Sequence, residues 1–213
     1  MKYNTYIFDL DGTILDTLLD LAKAVNFAMR SKGYPERTVN EVRSFIGNGI
    51  RVLIKRAVPQ ETEDKDYNEA LEIFTKYYLE HIADYTKPYD GIVDVINELK
   101  GKGCKTAVVS NKAHFAAQAV VKDFFGDIFD AVTGKKDEFP SKPEPDSLLY
   151  TIGLLGSEKE QCIYIGDSDV DVLTAHNAGL PCIGVTWGNR DEDVLLASGA
   201  EYIARTPSDI LKI

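Results

Sequence analysis

The chain has 213 residues, of which 44% are hydrophobic and 27% are charged. This composition is typical of a globular protein and excludes a disordered or fibrous one, and the length allows one large α/β domain or a core with a modest insertion. The 24 basic and 34 acidic residues give a net charge of −10. Because such a field repels nucleic acid and anionic lipid surfaces, we expect neither as a partner, and an anionic ligand would need a local cation or metal.

The three cysteines, Cys104, Cys162 and Cys182, lie far apart within β-branched runs. Their odd number and apolar surroundings indicate buried thiols, which fits a reducing compartment. The sequence also shows no stretch approaching the ~20 apolar residues that a membrane-spanning helix needs. We therefore predict a cytoplasmic protein.

The first predicted strand is the apolar run Tyr6–Phe8. Further short runs rich in β-branched residues follow it, at residues 105–110, 128–133, 162–166, 182–186 and 202–204. Helical patterns separate these runs. The alternation predicts βαβ units, and therefore an α/β fold in which helices cover both faces of a parallel sheet.

Roughly 90 residues separate the first two strands, far more than one crossover helix requires. Apolar residues recur there at helical spacing in three segments, which begin at Leu18, Val42 and Tyr67. This pattern predicts an inserted helical bundle. The predicted domains are a core of residues 1–15 and 85–213 and a helical insertion of residues 16–84.

Two carboxylates follow the first strand in the sequence Phe8-Asp9-Leu10-Asp11-Gly12-Thr13. Alternation along an extended chain places Asp9 and Asp11 on the same side, so they can converge on one site. Gly12 permits a tight turn after them. Asp and Gly are also common in turns and caps, so this segment taken alone fits a structural role as well.

Polar residues also follow later strands. They lie in Ser110-Asn111-Lys112, at Lys142 in a proline-stiffened segment before a helix, and in Gly166-Asp167-Ser168-Asp169-Val170-Asp171. Because the carboxyl ends of parallel strands form the ligand crevice of open α/β sheets, we expect these clusters to meet at one edge.

The chemistry of these clusters is complementary. Carboxylates from Asp9 and Asp167 are the hard oxygen ligands that Mg²⁺ prefers. Together with Lys142, the metal would offset the charge of a phosphoryl group, and a carboxylate can act as its covalent acceptor.

As a set, these residues resemble the four motifs of the haloacid dehalogenase superfamily. The motifs occur in order along the chain, as Asp9-x-Asp11-Gly12-Thr13, Ser110, Lys142 and Gly166-Asp167-Ser168-x-x-Asp171. The resemblance implies a Rossmann-like parallel sheet with strand order 5-4-1-2-3 and a helical cap inserted after the first motif. An acid at Asp11 distinguishes the chain from true dehalogenases and phosphonoacetaldehyde hydrolases, which resemble this fold but lack it.

The resemblance also implies catalytic roles. Asp9 would attack phosphorus to form an aspartyl-phosphate, and Asp11 would protonate the leaving oxygen and later activate water. Lys142 would stabilise the nucleophile and the intermediate. The expected phosphate-binding residues are Thr13, Ser110, Asn111 and Lys142, although helix capping also explains Thr13.

The same resemblance implies a Mg²⁺ site. The ion would be held by the Asp9 carboxylate, the Asp11 main-chain carbonyl and Asp167. Asp171 would lie behind these ligands, where it would support a metal-bound water or orient Lys142.

Two weaker segments, Phe45-Ile46-Gly47-Asn48-Gly49 and Val185-Thr186-Trp187-Gly188, resemble phosphoglycolate phosphatases and their close relatives. Gly47, Asn48 and Gly49 are the expected specificity residues, in a cap loop that closes over the substrate. The two glycines also fit a simple turn between helices.

We therefore predict a Mg²⁺-dependent phosphatase that acts on a small phosphorylated metabolite similar to phosphoglycolate, as a monomer or homodimer. Three alternatives stay open: a phosphomutase similar to the β-phosphoglucomutases, a hydrolase of nucleotides or pyrophosphate, and a receiver-like phospho-signalling module. Receiver modules are usually shorter and carry no cap, and their phosphorylated Asp follows a strand in mid-sequence.

Overall fold

The computed structural model describes residues 2–213. The chain divides into two compact units, one formed by the chain up to Asp16 together with Pro88–Ile213, the other by Thr17–Lys87. The predicted boundaries lay at residues 16 and 84. Residue 1, the start of the predicted core, lies outside the described residues.

The first unit is built on a parallel sheet. Its strands and two short linker strands are β1 (Thr5–Phe8), β2 (Leu15–Asp16), β3 (Lys87–Pro88), β4 (Lys105–Ala113), β5 (Ala131–Lys135), β6 (Cys162–Gly166), β7 (Cys182–Val185) and β8 (Tyr202–Ala204). The six-stranded sheet has the order β5-β4-β1-β6-β7-β8, with every pair parallel, while β2 pairs with β3. If the core strands β1, β4, β5, β6 and β7 are counted 1 to 5 in chain order, this sheet contains the predicted order 5-4-1-2-3. Strand β8 extends it beyond β7. The predicted α/β fold class is confirmed.

Strand β1 lies at the centre of the sheet because its side chains are apolar on both faces. Tyr6, Ile7 and Phe8 are fully buried. The strand pairs with β4 on one side and β6 on the other, with Phe8 opposite Val108 and Ile165. The segments that follow β1, β4 and β6 therefore leave the sheet side by side.

One strand boundary was wrong. The run 128–133 was predicted as a strand, but β5 begins at Ala131. At the residue before it, the Asp130 N–H donates to the Thr106 carbonyl, while the Asp130 carboxylate accepts from the Thr106 N–H, both at 2.8 Å. A side-chain oxygen thus takes the place that a strand carbonyl would occupy. Smaller differences are that β4 continues to Ala113 and β7 ends at Val185.

Helices cover the sheet of the first unit. They are α5 (Ile92–Gly101), α6 (His114–Phe125), α7 (Asp146–Leu155), α8 (Asp169–Ala178) and α9 (Glu192–Ala197), with 3-10 turns at Lys159–Gln161 and Pro207–Lys212. The cysteines Cys104, Cys162 and Cys182 are all buried and free, and burial raises the pKa of each thiol.

The second unit is helical. It comprises α1 (Leu18–Ser31), α2 (Val39–Phe45), α3 (Ile50–Ala57) and α4 (Asp64–Glu80), which bury apolar faces against one another in a cluster that includes Val25, Met29, Val42, Ile54 and Phe74. The stripe that begins at Val42 is interrupted, since Gly47 and Gly49 adopt φ values of 116° and 81° between α2 and α3. Non-glycine residues rarely adopt such values.

Helix α1 also holds the end of its own unit. Asp20, buried near its start, accepts hydrogen bonds from the Tyr85 N–H, the Thr86 N–H and the Thr86 hydroxyl. Across residues 2–213, none of the helices combines the length and the apolar character needed to cross a bilayer.

Candidate active site

Residues that follow β1, β5 and β6 meet at one edge of the sheet. Lys142 Nζ lies 2.8 Å from Asp9 Oδ1 and 2.7 Å from Asp171 Oδ1. It also contacts the Tyr164 hydroxyl at 3.0 Å. The side chains of Lys142 and Asp171 are 3% and 0% exposed, so this ammonium is surrounded by protein rather than water.

Burial and charge shift the pKa values at this edge. Burial, reinforced by the charge of Asp171, raises the pKa of Asp9 well above its usual range, and it raises the pKa of Asp167 to about 6. For Lys142, burial opposes the charged form. The carboxylates of Asp171 and Asp9 outweigh it and hold the Lys142 pKa well above its ordinary value.

Three buried carboxylates lie around one ammonium at this edge. Carboxylate oxygens of Asp9, Asp167 and Asp171 lie within 4.8 Å of one another. If all three are ionised, one ammonium from Lys142 leaves two negative charges unbalanced. Although Lys142 Nζ is close, Asp9 Oδ1 has no partner in hydrogen-bonding orientation among residues 2–213. A buried, oxygen-only donor set with this charge fits a hard divalent cation.

Asp171 is committed to partners other than a metal. Its Oδ1 pairs with Lys142, and its Oδ2 accepts from the Ser168 N–H at 3.1 Å and from the Ser168 hydroxyl. These bonds form a capping box at the start of α8. Asp171 therefore joins the first turn of α8 to Lys142.

Asp167 is oriented by hydrogen bonds to both oxygens. Oδ1 accepts from the Thr13 hydroxyl at 3.1 Å, and Oδ2 accepts from the Asn189 N–H and side-chain amide at 2.6 and 2.9 Å. The Thr13 N–H donates to the Leu10 carbonyl at 3.3 Å. Both donors of Thr13, which the resemblance assigned to phosphate, are therefore engaged within the protein.

Two glycines allow the backbone to approach Asp167 closely. A Cβ at Gly12, which has φ of 93°, would overlap the Asp167 carboxylate, and a Cβ at Gly188 would overlap Asp167 and the Gly12 carbonyl. The loops that carry Asp11 and Asn189 therefore pack onto this carboxylate without room for a methyl group.

Asn111 contacts the backbone of Lys142. Its Oδ1 accepts from the Lys142 N–H at 2.9 Å, and its Nδ2 donates to the Lys142 carbonyl at 3.2 Å. The sequence prediction placed Asn111 on phosphate, and in this structure its side-chain amide also holds the backbone of Lys142. Asn177 holds the next residue, donating to the Pro143 carbonyl at 3.0 Å.

Ser110 and Asp11 meet through a second lysine. The Ser110 hydroxyl accepts from the Lys112 N–H at 3.2 Å. Lys112 Nζ contacts the two carboxylate oxygens of Asp11 at 2.8 and 3.2 Å. The two buried lysines therefore pair with different carboxylates. Lys112 contacts Asp11, and Lys142 contacts Asp9 and Asp171.

The predicted specificity residues Gly47, Asn48 and Gly49 join α2 to α3 in the second unit. Sequence reasoning assigned no role to Tyr164, Asn189 or Lys112. Tyr164 lies inside an apolar strand and looks like core, and Asn189 comes 22 residues after its partner. Lys112 belongs to the polar segment Ser110-Asn111-Lys112 at the end of a predicted strand, and this position was the sequence signal that it could reach the site.

Comparison with known proteins identifies the family of the chain. The sequence model of one protein family, the haloacid dehalogenase-like hydrolases, matches residues 6–185. The chain belongs to this family. The predicted superfamily and hydrolase class are confirmed.

Relatives within the family cover nearly the whole chain. A phosphoglycolate phosphatase of Aquifex aeolicus is 33% identical over 97% of this chain and 94% of its own length, and one of Mannheimia succiniciproducens is 34% identical over 97% and 96%. A solved structure from Lactobacillus delbrueckii subsp. bulgaricus, a candidate phosphoglycolate phosphatase, has a TM-score of 0.95 at 36% identity and covers 99% of this chain and 97% of its own.

Proposed function

We propose that this hydrolase is a Mg²⁺-dependent phosphatase of small phosphomonoesters, with phosphoglycolate as the first substrate to test. The observation that supports the proposal is the buried carboxylate of Asp9, which contacts the ammonium of Lys142 and lies within a cluster of three buried carboxylates. The substrate class rests on the relatives named phosphoglycolate phosphatase, which align over almost the full length of the chain.

In the first half-reaction an Asp9 oxygen forms a bond to phosphorus as the bond from phosphorus to the ester oxygen breaks. The ester oxygen keeps the electron pair and takes a proton from Asp11. In the second half-reaction Asp11 takes a proton from water, whose oxygen bonds to phosphorus as the bond between phosphorus and Asp9 breaks. Phosphate leaves, and both carboxylates return to their starting state.

The remaining residues support these steps. Asp9, Asp167 and the main-chain carbonyl of Asp11 would hold the Mg²⁺ ion, which would supply positive charge toward the phosphoryl group. Lys142 would stabilise the Asp9 carboxylate and the charge on the transferred group. Ser110 would donate a hydrogen bond from its hydroxyl to a phosphoryl oxygen. In the structure the Ser110 hydroxyl oxygen accepts from the Lys112 N–H, which leaves the hydroxyl proton able to donate.

The helical unit would supply specificity, through Gly47, Asn48 and Gly49 between α2 and α3. In that arrangement the cap would contact the part of the substrate that is not phosphate and exclude bulk water during the reaction.

The test is phosphate release from a panel of phosphorylated metabolites, with and without Mg²⁺. The panel should contain phosphoglycolate, sugar phosphates, nucleotides and pyrophosphate. We expect turnover to stop on chelation and to fall by at least about 10³-fold in Asp9→Asn, because the nucleophile is lost. Asp123→Asn, at an exposed position on α6, is the matched control and should keep full activity.

Each outcome of the panel is informative. Retained turnover in Asp9→Asn would contradict the proposed nucleophile. Isomerisation of a sugar phosphate without phosphate release would replace the phosphatase with a phosphomutase, and preference for nucleotides or pyrophosphate would replace the substrate class.

A further inference from the structure

We propose that Lys112 is a positioning residue that fixes the carboxylate of Asp11 for proton transfer. This inference rests on the proposed function, which gives Asp11 its role as acid and base. It assigns to Lys112 the task of presenting that carboxylate in one orientation to the leaving-group oxygen and later to water.

The contact is close and largely enclosed. Lys112 Nζ lies 2.8 Å from Asp11 Oδ1 and 3.2 Å from Oδ2, so one ammonium reaches both oxygens of the carboxylate. The two side chains are 5% and 16% exposed. While Asp11 is ionised, a charge-assisted contact to both oxygens restricts rotation of the carboxylate, and little water competes for it. When Asp11 carries the proton, the ammonium can still donate to the other carboxyl oxygen.

Lys112 is distinct in place and partner from Lys142. Lys142 Nζ contacts Asp9 and Asp171, whereas Lys112 Nζ contacts Asp11. The nucleophile and the proton-transfer group thus each have their own ammonium. Removal of one leaves the other in place, so the two functions can be tested separately.

The backbone of β4 aims Lys112 at the site through a bulge. Val109 pairs with Thr133 and Ala113 pairs with Lys135, so four residue steps on β4 span only two on β5. The extra residues lie in the segment that contains Ser110 and Lys112. Bulges locally redirect side chains and are frequent beside active sites.

A glycine on the neighbouring strand accommodates this bulge. A Cβ at Gly134 of β5 would come within 2.6 Å of the Lys112 carbonyl and of His114 Cα. Real Cβ atoms do not approach backbone so closely, so β5 needs glycine here to lie against the displaced segment. The position of Lys112 is therefore fixed by packing as well as by its ion pair.

A positioning role predicts a specific kinetic pattern. Loss of Lys112 should lower kcat by about 10- to 100-fold, since displacement of a reacting group by about 1 Å costs that much, while KM changes little. The loss should be greater for an alkyl phosphate than for p-nitrophenyl phosphate, because the poorer leaving group depends more on protonation. A lysine that instead bound an anionic group of the substrate would chiefly raise KM.

The experiment compares Lys112→Met, which keeps the length of the side chain, with Lys112→Arg, which restores a cation. Lys122→Met is the matched control, since Lys122 also pairs with an aspartate, Asp127, but on the exposed surface. Circular dichroism and the thermal midpoint of each variant establish that it folds. We expect Lys112→Arg to recover most of kcat and Lys122→Met to match the wild type.

The deciding measurement is a double-mutant cycle with Asp11→Ala. If Lys112 acts through Asp11, Lys112→Met should change kcat by less than about twofold in the Asp11→Ala background, because residues that act as a unit are not additive. An equal loss in both backgrounds, or a loss confined to KM, would overturn the inference while leaving the phosphatase intact. A wild-type chain that releases no phosphate from any substrate would overturn the proposed function and this inference together.

Discussion

The side-chain amide of Asn111 pairs with the backbone of Lys142 in the manner of two strands, accepting from its N–H and donating to its carbonyl. The two residues are 31 positions apart, and the pair fixes where the lysine segment lies relative to the end of β4. Its effect on Lys142 is mechanical, because the amide contacts the backbone and leaves the ammonium to Asp9 and Asp171.

We predict that Asn111→Ala lowers kcat by about 10-fold or more, since Lys142 loses the brace that sets its position. KM and inhibition by inorganic phosphate should change by less than about twofold, because both report phosphate binding. Steady-state kinetics with phosphate as inhibitor measure both quantities. Asn177→Ala, which removes the bond to Pro143 at a more exposed site, should have a smaller effect. A large rise in KM for Asn111→Ala would support the role in phosphate binding predicted from sequence.

Asp167→Asn should stabilise the metal-free protein. Burial and the charge of Asp171 raise the pKa of Asp167 to about 6 in the fold, so its ionised form costs folding free energy at neutral pH, on the order of 1–3 kcal/mol. The amide removes that charge and can still pair with Thr13 and Asn189. Thermal unfolding in a chelator measures the effect, with Asp123→Asn as the control.

With Mg²⁺ added, the wild type should become more thermally stable than Asp167→Asn, the reverse of the order in chelator. The wild type should gain thermal stability with ion concentration, because a ligand that binds the folded state stabilises it, and Asp167→Asn should gain little. A metal-free Asp167→Asn protein that unfolds below the wild type, or an equal response of both proteins to Mg²⁺, would contradict the charge imbalance described for this site.

Asp20→Ala should destabilise the helical unit by about 1–3 kcal/mol, because the buried N–H of Thr86 loses its acceptor. Faster hydrogen exchange at the Tyr85 and Thr86 amides should accompany the loss. Asp20→Asn keeps one acceptor oxygen and should be milder. Glu72→Ala, at an exposed position of α4, should stay within about 0.5 kcal/mol. Unchanged exchange at Thr86 in Asp20→Ala would contradict this account.

Asp130 should contribute stability that depends on pH in the acid range. Burial opposes its charge, but the Lys100 ammonium and the Thr106 N–H outweigh burial and lower its pKa. A carboxyl with a lowered folded pKa stabilises the fold above its unfolded pKa, about 3.9, and loses that contribution as the pH falls through the folded value. Asp130→Asn should therefore be less stable than the wild type at pH 7.

The difference between Asp130→Asn and the wild type should shrink as the pH falls below about 4. Urea unfolding at a series of pH values measures it. Asp127→Asn, at a side chain that is 86% exposed, is the matched control. A difference that stays constant from pH 7 to pH 2 would mean that Asp130 acts without its charge.

The sequence predicted the sheet well because its central strands are continuous apolar runs between polar segments. Tyr6–Phe8 and residues 162–166 are such runs, and both lie at the middle of the sheet. The strand predicted at residues 128–133 begins later because the carboxylate of Asp130, not a backbone carbonyl, accepts the hydrogen bond from the Thr106 N–H. A pattern of hydrophobic residues does not show which kind of acceptor is used.

The sequence predicted which residues meet at the candidate site better than it predicted which partners they contact there. Spacing after the strands brought Asp9, Lys142 and Asp167 to one edge, and the structure places them there. Partner choice depends on backbone detail that spacing does not contain. The bulge that aims Lys112 at Asp11 is an example, since it arises from how β4 pairs with β5.

The burial of Cys104, Cys162 and Cys182 makes the chain a convenient carrier for site-specific labels. Reaction with a maleimide requires an accessible thiolate, and these three side chains are buried with raised pKa values. A cysteine introduced at an exposed position such as Asp123 would therefore react in preference to the native thiols. Fluorophores could then be attached to the folded enzyme without first deleting any natural cysteine.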